Sequence, residues 1–152
     1  MAPGHRKNAR VYLHRDGSRL IVVPVHTNQD GVLVEAEGPL SLTKWTEEDL
    51  GDSVKLALEQ SARVTRDLRK VTPADLPALK VSGEPSVRAF QSKFIQIDLS
   101  GANEENLVTQ IDGIPEGNAG LTIRTTVAYQ ASPVDYAKRI TQVYTACRDR
   151  RF

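Results

Sequence analysis

The chain has 152 residues, 39% hydrophobic and 26% charged, which suits one packed domain and excludes a disordered chain. Its 20 Lys and Arg nearly cancel its 19 Asp and Glu, so the formal net charge is +1 and the marked basic excess of a dedicated nucleic-acid binder is missing. A lone cysteine, no apolar run near the roughly 18–20 residues of a membrane span, and no apolar core in "MAPGHRKNAR" lead to the expectation of a soluble, cytoplasmic protein without disulfides.

Residues 1–8 are polar and read as a flexible tail. "ARVYLHRDGSRLIVVPV" reads as a hairpin turned by Asp16-Gly17, with Val11 and Leu13 on one face. The second strand, "RLIVVPV", is almost continuously apolar, which predicts burial on both faces. Pro24 belongs at an edge, a bulge or a strand end, because it donates no hydrogen bond. "HTNQDG" is a turn, "VLVEAE" a third strand and "GPLSL" a short fourth.

"WTEEDLGDSVKLALEQS" predicts a helix. Thr46 is its N-cap, and Glu47, Glu48 and Asp49 sit at the positive end of the dipole. Trp45 and Leu50 have the spacing of a hydrophobic staple. Leu50, Val54, Ala57 and Leu58 form one buried stripe. Gly51 costs about 1 kcal/mol of helix propensity relative to alanine. Close approach of the helix to the sheet is the expected reason for it.

Residues 63–85 read as a connector, since Pro73, Pro77 and Pro85 interrupt any long helix, and a short helical turn is expected at 85–91. "SKFIQIDLSG" is a strand with Ile95, Ile97 and Leu99 on one face and Gln96 and Asp98 on the other. Two further strands flank Gly113 to Gly120. "SPVDYAKRITQVYTACRDR" is a closing helix with Ser132 as cap, Pro133 at its first position, and a stripe of Tyr136, Ile140, Val143, Tyr144 and Cys147. The expected fold is α+β, one domain over 1–152. Its antiparallel sheet is built from two strand-then-helix halves, each helix packed on a sheet face.

Little of this carries chemistry. His5, His14 and His26 have no neighbouring ligand at metal spacing, so neither metal nor cofactor is expected. Cys147 lies on an apolar stripe and reads as a small hydrophobe. "GIPEGNAG" lies between strands and reads as a hairpin loop, not a nucleotide fingerprint. Carboxylates gather at Glu35 and Glu37, at Glu47, Glu48, Asp49 and Asp52, and along the second half. They suit a solvated face, or a surface for a basic partner. A binding protein is expected rather than an enzyme.

The stretch "VYLHRDGSRLIVVPVHTNQDGVLVEAEGPLSLTKWTEEDLGDSVKLALEQS" resembles the immunity proteins of contact-dependent growth inhibition systems, of the CdiI type. The resemblance rests on a strand ending at Val23-Pro24, then a helix written Glu47-Glu48-Asp49-Leu50-Gly51 with Val54 and Ala57-Leu58. It covers residues 10–62. It implies a protein that neutralises the toxin domain of a delivered effector by blocking its active site. Such toxins are often nucleases with basic clefts, which an acidic face with an aromatic anchor would fit. Glu35, Glu37, Glu47, Glu48, Asp52 and Tyr129 are the candidates for that contact, and Trp45 is assigned to the fold. Unpaired sheet edges leave room for a homodimer. The alternative is a nucleic-acid-binding module on a curved antiparallel sheet, motivated by "RVTRDLRK" and "CRDRR". A third reading is a small enzyme whose pocket would join His14 or His26 to carboxylates.

Overall fold

The computed structural model describes residues 6–28, 30–36, 38–63, 76–101, 105, 107–115, 117 and 120–150. The elements run β1 (Asn8–His14), β2 (Leu20–Thr27), β3 (Leu33–Glu35), β4 (Leu40–Leu42), α1 (Glu47–Gln60), α2 (Pro77–Ser82), α3 (Val87–Lys93), β5 (Phe94–Gly101), β6 (Val108–Gly113), β7 (Ile123–Ala128) and α4 (Pro133–Asp149). The fold is the expected α+β with an antiparallel sheet. The two halves are one sheet of seven strands, because β1 pairs with both β2 and β5. The order is β3-β2-β1-β5-β6-β7, with β3 and β4 sharing the outer edge of β2.

The hairpin turn needs positive φ, which Gly17 supplies at 77°. β1 begins at Asn8, inside the stretch read as a tail. Asn8 is buried and its backbone N–H donates to Ser61 Oγ at 3.1 Å. β2 is covered on both faces, as its apolar run implies.

The two long helices share one sheet face. Ala9, Val11, Leu13, Leu20, Val22, Ile95, Ile97, Leu99 and Ile111 of the sheet pack there against Leu50, Val54, Ala57 and Leu58 of α1 and the whole predicted stripe of α4. Full burial of such a side chain stabilises by roughly 1.5–3 kcal/mol, so this layer carries most of the fold. Thr46 and Asp49 form a capping box, with bonds of 3.1 and 3.0 Å. Ser132 Oγ accepts from Asp135 N at 3.2 Å, and Pro133 opens α4.

Among the described residues the second face is covered over β1, β2 and the start of β5. There α2 and α3 enclose Tyr12, Ile21, Val23 and Phe94 with Ala78, Leu79 and Phe90. Helix α2 lies within the segment expected to be a connector. Pro77 starts it rather than breaking it, since the first helical position requires no N–H. Residues 64–75 of that segment are outside the described residues. Helix α3 is the short turn expected near 85–91. Arg19 holds α2 in place: Nη1 donates to Ser82 O at 2.6 Å and Nε to Ser41 Oγ at 3.1 Å.

Gly51 does mark a close approach, but to a helix and not to the sheet. A Cβ on Gly51 would sit 1.8 Å from the carbonyl oxygen of Pro133, the first residue of α4. Backbone cannot yield as a flexible side chain can. Gly51→Ala is therefore expected to lose about 1–3 kcal/mol by urea denaturation, against the gain in helix propensity of about 1 kcal/mol. A stabilised variant would disprove the contact.

Candidate partner-binding surfaces

Of the six candidate residues, the structure brings Glu47, Glu48 and Asp52 together. They lie exposed on the first two turns of α1, with no hydrogen-bond or ion-pair partner among the described residues. Glu47 stands on the rim of an open cleft of about 470 Å³ between α1 and α4, lined also by Lys138, Thr141, Gln142, Thr145 and Ala146.

Glu35 is elsewhere and does not belong to an acidic surface. Its side chain is 0% exposed, beneath α2 on the second sheet face. Oε2 accepts from Arg10 Nη1 at 2.9 Å and from the Tyr12 hydroxyl, and Oε1 from the Ala78 N–H at 3.3 Å. Burial pushes the Tyr12 phenol well above its ordinary range, and the Glu35 charge adds to this. A buried acid is tolerated here because its lone pairs are filled by a guanidinium, a hydroxyl and a backbone donor. Glu37 lies outside the described residues.

Tyr129 is half-buried just beyond β7. Its hydroxyl donates to Glu59, whose other oxygen accepts from Lys7 Nζ at 2.8 Å. Its carbonyl accepts from the Tyr136 hydroxyl at 2.8 Å. Tyr129 thus fastens the C-terminal end of α1. The twelve-residue step from Glu47 to Glu59 is about 18 Å along the helix axis. Tyr129 and the α1 acids are separate features.

A surface absent from the sequence expectations lies over β6, β7 and the part of β5 beyond Phe94, which no described helix covers on the second face. Strand register lines up Arg10, Asp98, Asp112 and Arg124 as one row across four strands. Two opposed aspartates would repel, but each is held by its own arginine, Arg10 Nε to Asp98 Oδ1 and Arg124 Nε to Asp112 Oδ1, both at 2.7 Å. Asp98, Asp112 and Arg124 of this row line a groove of about 930 Å³, with Arg88, Gln91 and Ser92 on the α3 side and Ile114, Pro115 and Gly117 on the loop side. The alternation of Gln96 and Asp98 marked a polar face. It could not show that α2 and α3 cover only the neighbouring half.

Among the described residues no cluster of three or more His, Cys, Asp or Glu could hold a metal ion, and no helix is long and apolar enough to cross a membrane. His26 Nδ1 accepts from Ala62 N at 3.0 Å, tying β2 to the chain just after α1, and His14 Nδ1 accepts from Asp16 N at 3.2 Å in the hairpin turn. His5 is outside the described residues. Cys147 is buried, and burial pushes its thiol up, away from reactivity.

No protein-family model and no curated protein matches the chain. Solved structures do match its fold. A protein of unknown function from Neisseria meningitidis aligns at TM-score 0.69 and 14% identity, covering 97% of this chain and 98% of that one. A chain from a CdiA-CT/CdiI toxin and immunity complex of Yersinia pseudotuberculosis aligns at TM-score 0.68 and 13% identity, covering 94% and 98%. The chain shares its complete α+β fold with both.

Two predictions follow the placement of these acids. Glu35→Ala removes the acceptor of Arg10 Nη1 and of the Tyr12 hydroxyl beneath α2, and a loss of about 3 kcal/mol or more is expected in urea denaturation. Glu47→Gln, Glu48→Gln and Asp52→Asn should each cost less than about 1 kcal/mol. Equal costs would contradict the burial difference. Glu59 is held below its ordinary 4.5 by the Lys7 hydrogen bond first and the Tyr129 hydroxyl second. A carboxylate depressed by folding adds stability above its unfolded pKa, and loses it as pH falls through the folded value. Glu59 is exposed, so solvent screens that contribution. Tyr129→Phe should move the Glu59 titration upward in carboxyl-carbon NMR, and an unchanged titration would show that the bond does not form.

Proposed function

We propose that this protein is an immunity protein, which binds the toxin domain of a contact-dependent growth inhibition system and blocks its active site. The observation that carries the reading is the end-to-end likeness of its fold to a chain from a toxin and immunity complex. The motif resemblance over residues 10–62 supports it from the sequence. The toxin is proposed to be a nuclease acting in the cytoplasm, where the protein would meet it.

The nucleic-acid alternative finds less support. Sheet platforms for single strands stack bases on exposed aromatic rings. The open half of the second face presents Gln96, Asp98, Gln110, Asp112, Arg124 and Thr126, while Tyr12 and Phe94 are buried under α3.

The test is co-expression with the toxin domain encoded beside the gene. Growth should be restored, and the two chains should co-purify in equal amounts. A neighbour that is toxic alone and remains toxic with this protein would remove the reading.

A further inference from the structure

We propose that two copies of this chain associate edge to edge through β7, about a two-fold axis at Thr126, so that the sheet of one copy continues into the other. The proposal does not rest on the immunity reading. β7 ends the sheet, and among the described residues no strand pairs with its outer side. Sheet edges are usually blunted by short strands, proline, lysine or bulges, because their free N–H and C=O groups pair with other chains. The opposite edge is blunted in this way, being divided between β3 and β4, of three residues each. β7 has six residues without proline, glycine or lysine. Its register with β6 is unbroken from Val108–Ala128 to Gly113–Ile123. Its one charged residue, Arg124, is held by Asp112.

Tyr129 N donates to Leu107 O at 2.9 Å, next to the Val108–Ala128 pair. Hydrogen-bonded pairs alternate along an antiparallel ladder. Ile123, Thr125 and Val127 therefore bond inward to β6, and the backbone of Arg124, Thr126 and Ala128 faces outward. All three of these are exposed. A two-fold register centred on Thr126 pairs all three with one another: Thr126 with Thr126, and Arg124 with Ala128 of the second copy. It also keeps the two arginines apart, whereas a register centred on Arg124 would oppose them. On the helix face the same register sets Thr125 against Val127 and Ile123 against Tyr129, and Ile123, Val127 and Tyr129 already border the main core. Polar thus meets polar and apolar meets apolar, a match that a second copy carries by symmetry. Each copy has one such edge, so the assembly closes at two.

The experiment is light scattering on the full chain across a concentration series, with amide exchange followed by NMR. The mass should rise toward twice 16.8 kDa as concentration approaches about 1 mM. Exchange at Thr126 and Ala128 should slow over that series, while Thr125 and Val127, bonded within each copy, should not change. Thr126→Lys sets like charges opposite each other and should weaken the dimer about fivefold or more, and an equal mixture of Thr126→Lys and Thr126→Glu should recover it. Thr126→Pro removes an N–H that no bond within the copy uses, and should leave monomer. The Thr126 side chain is exposed, so at dilution the thermal midpoints of the two charge variants should match wild type and loss of folding cannot account for their effect. A wild-type chain that stays monomeric throughout the series overturns the proposal. A dimer of unchanged affinity in Thr126→Lys and Thr126→Pro also overturns it, by placing the contact on another surface. Growth beyond two copies does the same, since this edge closes on itself.

Discussion

The whole molecule depends on β1 having a partner on each side. Residues Asn8 to Leu13 pair with β2, and Asn8 to His14 with β5. The β2 contact closes a short hairpin. The β5 contact joins distant residues, Arg10 and Asp98 being 88 positions apart. Loop-closure entropy grows only with the logarithm of loop length, so burial on both faces can offset it. Register is then strict. Val11 stands between Val22 and Ile97 on the face of the long helices, and Tyr12 between Ile21 and Gln96 on the other. A slip of one residue would turn Arg10 and Tyr12 into the main core and carry Val11 out of it.

Arg10 is the seam between the covered and open parts of the second face. Its Nη1 reaches the buried Glu35 and its Nε the exposed Asp98. The polar row therefore begins inside the protein and ends in solvent at Arg124. On the opposite face two missing side chains allow α4 to settle. Gly51 lets α1 meet Pro133, and a Cβ on Gly113 would lie 2.7 Å from Cys147 Sγ and 2.9 Å from Val143. One glycine brings the helices together, and the other lets α4 rest on β6.

The sequence carried the parts of the fold that local rules determine. Hairpin turns, the Thr46 and Ser132 caps, the α4 stripe and the alternation in β5 rest on interactions within a few residues, and each is present. What it could not carry depends on distant pairing. Glu35 has the composition of a surface acid, and only the register of β3 with β2 and the landing of α2 make it buried. The sequence around Gly51 points to the sheet and not to α4, because the partner, Pro133, lies over eighty residues away. Pro77 has the look of a breaker because the helix it opens has only six residues. The candidate surface was legible only in part. The acids of α1 were visible as a cluster, whereas the groove is assembled from α3, β5, β6 and β7 and exists only in the fold.

Charge on this protein falls into two classes, and the distinction bears on where recognition can reside. Most charges answer to a local partner: Asp49 to its cap, Glu59 to Lys7 and Tyr129, Asp98 and Asp112 to arginines of adjacent strands. Such groups have little left to offer, since a partner must displace bonds already made before gaining its own. Glu47, Glu48 and Asp52 lack side-chain partners, yet a helix dipole stabilises them where they are. Arg88, Lys138 and Arg139 have no side-chain partner among the described residues. A scaffold shared with proteins that have few residues in common with it cannot itself encode a partner. Specificity must lie in side chains the fold does not require.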